Sequence, residues 1–344
     1  MRILTIMLAI FIIFACEADA IYKWENNNSL KDLMHKSNGE KIIIDFETEW
    51  CGWCKKLDQI TFKDRSVINY ANDHFISIKI DAEKGEGKDL TKKYNVTGYP
   101  TILFVDDKGN EIDRILGYIS PKPYLNELKR IQSGRNTLPA LLTSFQNNPE
   151  SFSTLYKLAK KYEAMGEVQS AKKMINAILA ANIDSAGTAK FFKILYESRE
   201  TGDPIQLLGY IDETKRGSYV ASAVQEAMNL TRRNGSDPTL EANLFLQLIN
   251  LSEYTSPSML NSFAWRMSEL EINLDLAYEK VNIAIAKADD VEQKYMFIDT
   301  KAEVLWKQNR TKDAIFEIEK CISKFPENKY YKEQLLKFQN SIDI

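Results

Sequence analysis

Two kinds of hydrophobic pattern divide the chain. From Ile21 to about Arg135, short apolar runs alternate with helix-like stretches. Ser29 stands where a helix N-cap belongs, ahead of a stretch that reaches His35, and Asn38-Gly39 supplies a turn. Ile42 to Phe46 is an apolar run rich in β-branched residues, the pattern of a central strand buried on both faces. Lys55 to Ile60 reads as a helix, Phe75 to Ile80 as a second strand, and Asp89 to Tyr94 as a short helix. Thr101 to Val105 and Ile112 to Leu116 are two more strands, joined by Asp106-Asp107-Lys108-Gly109, a turn signal that favours an antiparallel hairpin. Ser120-Pro121 opens a closing helix over Tyr124 to Ile131. Residues 21–135 are therefore expected to form a small α/β domain with a mixed sheet.

Gln132 to Pro139 breaks the pattern, and the strands stop there. Within residues 139–344, Leu155, Ala159, Tyr162, Ala171, Ile175 and Ile178 recur as Ile298, Ala302, Leu305, Ala314, Ile318 and Cys321. Each set is two helical stripes separated by a turn, at Gly166 in the first and around Asn309 in the second. Small residues at Ala159 and Ala171 let two helices approach closely. This is the tetratricopeptide-type arrangement, in units of about 34 residues, and an unrelated helical bundle is the alternative. Ala264-Trp265, Ala277, Val281 and Ala284 read as a third unit, whereas Thr188 to Tyr254 is helical in pattern without units that can be placed.

Ahead of both patterns, residues 1–20 read as an export signal. Arg2 is the positive end, Ile3 to Phe14 an almost unbroken apolar run, and Ala18-Asp19-Ala20 a small-x-small cleavage site. The mature chain would begin at Ile21, in the periplasm or outside the cell. An uncleaved anchor is one alternative, although a membrane span needs about 20 apolar residues. A lipobox-like Ile13-Phe14-Ala15-Cys16 is another, which would make Cys16 a lipid anchor and the chain's only link to a membrane. Without residues 1–20 the chain has 44 basic and 46 acidic residues, a balance that gives no reason to expect nucleic acid or an anionic membrane surface as a partner.

Of four cysteines, Cys16 belongs to the leader and Cys321 sits on a helical stripe, which leaves Cys51 and Cys54. One pair is too few for a disulfide scaffold. Zinc would need two further ligands, and the two histidines, His35 and His74, are neither paired nor near a second cysteine pair. A structural disulfide across two residues would remove little loop entropy. A redox couple fits better, because the strand ends near Phe46 and a helix begins at the motif. That puts Cys51 at a helix N-terminus, where a thiolate is stabilised, with Cys54 one turn in as the resolving thiol.

The stretch DFETEWCGWCKKLDQITFKD, followed by YNVTGYPTILFVDDKGNEIDRILGY, resembles a thioredoxin-fold domain of the exported thioredoxin-like proteins and of the C-terminal domain of DsbD-type reductases. The likeness covers about Trp24 to Ile131. The implied architecture is an α/β thioredoxin fold followed by an all-α tetratricopeptide-like helical repeat domain. The resemblance implies that Cys51 is the nucleophile, Cys54 the resolving thiol, and Asp45 the buried carboxylate that takes the proton of Cys54. It also implies that Pro100 is a cis-proline beside the cysteines, and that Trp50, Gly52, Trp53 and Tyr99 meet the substrate. Read without it, Asp45 is a strand-end aspartate, Pro100 an ordinary strand-entry proline and Tyr99 a half-buried strand aromatic. Trp53 replaces the proline or histidine common between the cysteines, and the family's lysine near the carboxylate aligns with Ser77, so Lys79 is the candidate substitute.

The expected function is an exported thiol-disulfide oxidoreductase, most consistent with a disulfide reductase because no cationic histidine separates the cysteines. The partners would be disulfide-bearing protein clients and an upstream thiol electron donor, with no cofactor beyond the cysteine pair and no metal. A disulfide oxidase or isomerase is one alternative. A repeat adaptor that uses the thioredoxin fold only as a binding platform is another, and it leaves the reactive pair without a purpose.

Overall fold

The computed structural model of the chain describes residues 20–25, 28–184, 187–215, 217–235, 237–251 and 256–341. Arg2, the apolar run and Cys16 lie outside the described residues. The chain divides into two compact units, Met1–Ile183 and Asp184–Ile344.

In the first unit, α1 (Leu30–Lys36) leads into β1 (Lys41–Glu47), α2 (Gly52–Ile60), α3 (Arg65–His74) and β2 (Phe75–Asp81). Then come α4 (Gly87–Lys93), the hairpin of β3 (Thr101–Val105) and β4 (Glu111–Leu116), and α5 (Pro121–Gln132). The sheet order is β2-β1-β3-β4, with β2 parallel to β1 and the other pairings antiparallel. The mixed sheet and its hairpin agree with the pattern in the sequence. Helix α3 does not appear among the expected elements. It forms because Asp64 caps it, accepting from the N–H groups of Ser66 and Val67, and because Val67, Ile68 and Ala71 make one buried stripe.

Strand β1 is the hub, since it is enclosed on both faces and paired on both edges. Ile42, Ile44 and Phe46 pack with Leu30, Leu33 and Tyr94 on one side. Ile43 packs with Leu57, Val67, Ile68, Tyr124 and Leu128 on the other. Side chains alternate along a strand, so Asp45 shares the face of Ile43, the side covered by α2, α3 and α5. The register sets Asp45 beside Lys79 of β2.

No strand follows α5 among the described residues, as expected, yet the compact unit runs on to Ile183. It includes α6 (Leu138–Asn147), α7 (Phe152–Ala164) and α8 (Val168–Ala180), and both α6 and α7 pack on β4. The enclosed carboxylate of Asp113 on β4 receives Arg130 at 2.6 Å and also Lys161 of α7. Arg114 donates to the carbonyls of Tyr94 at 2.7 Å and Ala164 at 3.2 Å. Asn95 Nδ2 donates to the Met165 carbonyl at 2.9 Å. The first helical hairpin is thus bonded to the sheet through buried polar groups, which are costly to leave unpaired.

The second unit is helical among the described residues: α9 (Thr188–Thr201), α10 (Ile205–Thr214), α11 (Val220–Asn234), α12 (Pro238–Asn250), α13 (Pro257–Leu270), α14 (Leu274–Ala286), α15 (Val291–Lys307), α16 (Thr311–Lys324) and α17 (Lys329–Asn340). Consecutive helices pack on one another, the pairing expected of tetratricopeptide-like repeats. The repeated positions coincide. Ala159 and Ala171 are fully buried in α7 and α8, and so are Ala302, Ala314 and Ile318 in α15 and α16. Gly166 and Asn309 both adopt a left-handed backbone, φ 74° and 61°, in the turn between their helices. The stretch that resisted reading holds α9 to α12, where a cluster of Phe191, Phe192, Tyr210 and Tyr219 replaces the alternation of small and large residues.

A fragment ending at Arg135 leaves Asp113 and Arg114 without their α7 partners, whereas one ending at Ile183 keeps them. The longer fragment is expected to gain about 2 kcal/mol of stability over the shorter in urea denaturation, the scale of one or two buried charged hydrogen bonds. Equal midpoints and slopes for the two would show that the hairpin adds nothing to the sheet.

Candidate active site

The site grows from the C-terminal end of β1. After Glu47 the chain turns, with the Cys51 N–H donating to the Thr48 carbonyl at 3.1 Å, and α2 begins at Gly52. Cys51 is the N-cap of α2, and the Cys54 backbone N–H donates to its Sγ at 3.0 Å. The two sulfurs form a disulfide with Cα atoms 5.3 Å apart. The helix start therefore turns a backbone donor onto the first sulfur, as a thiolate there requires.

Exposure does not separate the two cysteines. In the disulfide, Cys51 is 4% exposed and Cys54 3%. Position separates them: Cys51 lies at the helix mouth, while Cys54 lies inside the first turn on the same buried stripe as Leu57. A Cβ at Gly52 would meet no atom within 4 Å, so the surface at Gly52, between the two cysteines in the motif, is open.

Two aromatic groups flank the pair. Trp50, 67% exposed, meets Tyr99 edge-on at 6.0 Å between ring centroids and donates its indole N–H to Glu83 at 3.1 Å. Trp53, 58% exposed, lies 5.7 Å from Tyr118, and the Lys56 ammonium sits about equally over both rings, at 4.9 and 5.0 Å. The Tyr99-Pro100 peptide is cis, as the resemblance implied. Pro100 immediately precedes β3, whose Thr101 pairs with Phe46, so it lies at the same sheet end as the cysteine turn.

Beneath the helix, Asp45 is 1% exposed. It shares a sheet face with Ile43, and Cys54 shares a helix face with Leu57. Ile43 and Leu57 belong to one core cluster, so the carboxyl and the inner cysteine point into the same layer. Asp45 Oδ2 accepts from Lys79 Nζ at 3.0 Å, and Oδ1 is buried with no partner among the described residues. Lys79 also donates to Glu47 at 2.8 Å and to Asp58 at 2.5 Å. The carboxylates of Asp45, Glu47 and Asp58 could by spacing hold a metal ion, but the ammonium of Lys79 bonds to all three. Trp24 and Phe62 lie 5.0 and 5.4 Å from that ammonium, closing the group from the side.

Burial pushes the Asp45 carboxyl up to about 6, and the attraction of Lys79 only partly opposes the rise. For Lys79, desolvation works against the ammonium, yet Asp45, Asp58 and Glu47 together raise its pKa. The Asp45 carboxyl thus titrates nearer neutral pH than an ordinary aspartate, beside a cation that stays charged. Glu47 and Asp58 were not singled out from the sequence. The signal for them was present in part, because Asp58 lies one helical turn beyond Cys54 and Glu47 lies on the Asp45 face of β1.

Residues 32–132 match the family described as thioredoxin-like domain. This segment is a thioredoxin-like domain. Over 107 residues the chain is 34% identical to the thiol:disulfide interchange protein DsbD of Yersinia pestis (strain Pestoides F), an alignment that takes 30% of this chain and 18% of DsbD. The chain thus spans about a fifth of the length of the curated relatives it matches. A putative disulphide-isomerase from Bacteroides thetaiotaomicron is 35% identical over 33% of this chain and 95% of its own, with a TM-score of 0.30. The TPR protein YrrB, whose structure is described as having an unusual peptide-binding site, aligns over 56% of this chain and 96% of its own at 12% identity and a TM-score of 0.43. Cys51, Cys54, Asp45, Lys79 and Pro100 all fall within the thioredoxin-like domain.

The raised pKa of Asp45 fixes the sign of a pH effect. Its folded value of about 6 lies above the ordinary 3.8, so the carboxyl favours the fold fully below about pH 4, and that contribution is lost as pH rises through 6. Asn keeps the shape without ionising. Relative to the native protein, Asp45→Asn is expected to gain about 3 kcal/mol in stability between about pH 4 and about pH 8, read from urea denaturation of the oxidised chain. A difference that does not change with pH would contradict the assignment.

Proposed function

We propose that the protein is an exported thiol-disulfide oxidoreductase acting as a disulfide reductase, with its helical repeats holding a client or a redox partner. The observation that carries this reading is the Cys51 sulfur at the mouth of α2, receiving the N–H of Cys54, whose side chain shares a layer with the buried Asp45 carboxyl, raised to about 6.

In the reduced protein, the Cys51 thiolate attacks one sulfur of a client disulfide. A mixed disulfide forms and the client's other sulfur leaves as a thiolate. Asp45 then accepts the proton of Cys54, and the Cys54 thiolate attacks Cys51 Sγ. The client's second sulfur leaves with the bonding pair and takes up a proton. Two electrons have passed to the client, and Cys51 and Cys54 end as the disulfide of this structure. Restoring the dithiol needs an upstream thiol donor. Trp50, Trp53 and Tyr99 are the surfaces proposed to receive the client, because they are the aromatic groups flanking the open space at Gly52.

The reductase direction is supported by the absence of a cationic histidine between the cysteines, which leaves the helix terminus as the main stabiliser of the thiolate. Export is supported by the apolar leader ending at Ala20.

The roles of the two cysteines are tested by trapping. With Cys54→Ser, mixed disulfides with clients are expected to accumulate through Cys51, whereas Cys51→Ser should trap at least tenfold less. Similar amounts of adduct with both variants would reverse the assignment of nucleophile and resolving thiol.

A further inference from the structure

In the second unit, α11, α12, α13, α15 and α17 line a cleft of about 610 Å3 that no part of the redox chemistry uses. Its walls combine flexible apolar groups, Met228, Met259, Met296 and Phe245, with polar ones. Arg232 and Arg266 also reach it, but both are already matched. Arg266 donates to Glu241 at 2.7 and 2.8 Å and to Glu269 at 3.0 Å, and Arg232 donates to Glu241 at 2.6 Å. Two guanidinium groups thus face two carboxylates.

Asp299 is different. It lines the same cleft from α15 and is 6% exposed, yet its Oδ1 is buried and has no hydrogen-bond partner among the described residues. Asn261 of α13 lines the cleft too, and its Oδ1 is likewise buried and unpaired among the described residues. The neighbouring lysine, Lys337, is committed to Glu303 at 2.6 Å. Burial pushes the Asp299 carboxyl up to about 7 and Glu303 adds to the rise, while the hydrogen bond from Tyr330 and the charge of Lys337 oppose it only in part. A buried acceptor left unpaired is costly, so two of them in one cleft call for a donor that the described residues do not supply.

We propose that this cleft binds the lysine side chain of an extended polypeptide, its ammonium donating to Asp299 Oδ1 and Asn261 Oδ1 and its alkyl stem lying against the methionines. An ammonium brings three donors and no acceptor, which suits two orphan acceptors. A four-carbon stem suits a methionine-lined wall, since both are unbranched and adaptable. A guanidinium would have to fit beside two that already hold the available carboxylates. That the polypeptide is a client rests on the function proposed above; the chemistry of the cleft does not.

The test is isothermal titration of the oxidised full-length chain with the peptide acetyl-Ala-Leu-Lys-Leu-Ala-amide, and with the same peptide carrying norleucine for lysine. The lysine peptide is expected to bind at one site at least tenfold more tightly, and Asp299→Asn should reduce that ratio to within about twofold. Asn261→Leu, which leaves the buried carboxyl intact, should weaken the lysine peptide more than the norleucine peptide. Equal affinity of the two peptides for the native chain, or no saturable binding of the lysine peptide, would overturn the proposal. So would an undiminished preference for lysine in a folded Asp299→Asn chain. The peptide has no cysteine, so its binding reports on the cleft alone, while insulin reduction by the same preparation reports separately on Cys51 and Cys54.

Discussion

A carboxyl group in the middle of a sheet must be paired or neutral, and Asp45 is held between the two states. Parallel pairing of β1 and β2 places Lys79 beside it in register. Lys79 in turn is shared with Glu47 and Asp58, so its charge is spread over three carboxylates. A lysine given wholly to Asp45 would keep that group ionised and make it a poor proton acceptor. One given wholly to the others would leave Asp45 protonated at neutral pH. Burial raises the carboxyl to about 6 and the shared ammonium only partly opposes that rise, while the aromatic wall of Trp24 and Phe62 closes the group from the side.

The same layer ties the chemistry to the fold. Ile43 and Leu57 join strand and helix in one core, and that contact sets both the depth of Asp45 and the position of Cys54 in the first turn of α2. The helical part begins as an extension of this body. Asp113 and Arg114 reach from β4 into the first helical hairpin, so the sheet is completed by residues that follow the change of pattern. A boundary drawn where strands end is therefore not the boundary at which buried charges find their partners.

Much of this was legible in the sequence. The β-branched run at Ile42 to Phe46, the Asp-rich turn at Asp106 and the cysteine pair gave the sheet and the site, because each follows from local rules of burial and turn chemistry. Gly166 and Asn309 marked equivalent turns, because both residues tolerate a left-handed backbone. Helix α3 leaves little trace in the sequence because its buried stripe is only three residues long. The cage around Lys79 was not readable because Glu47 and Asp58 reach it through strand register and helix phase together. The units of α9 to α12 were hidden by aromatic packing that breaks the small-large alternation. The link from α7 to Asp113 depends on side chains far apart in sequence, which no local pattern encodes.

The central claim, that this cysteine pair gives electrons to clients, is tested most directly by the reduction potential of the Cys51–Cys54 couple in the full-length chain, equilibrated against a glutathione or dithiothreitol buffer. The account predicts a value near about −270 mV, in the range of a reducing thioredoxin. A value near about −120 mV, that of a strong oxidant, would contradict it.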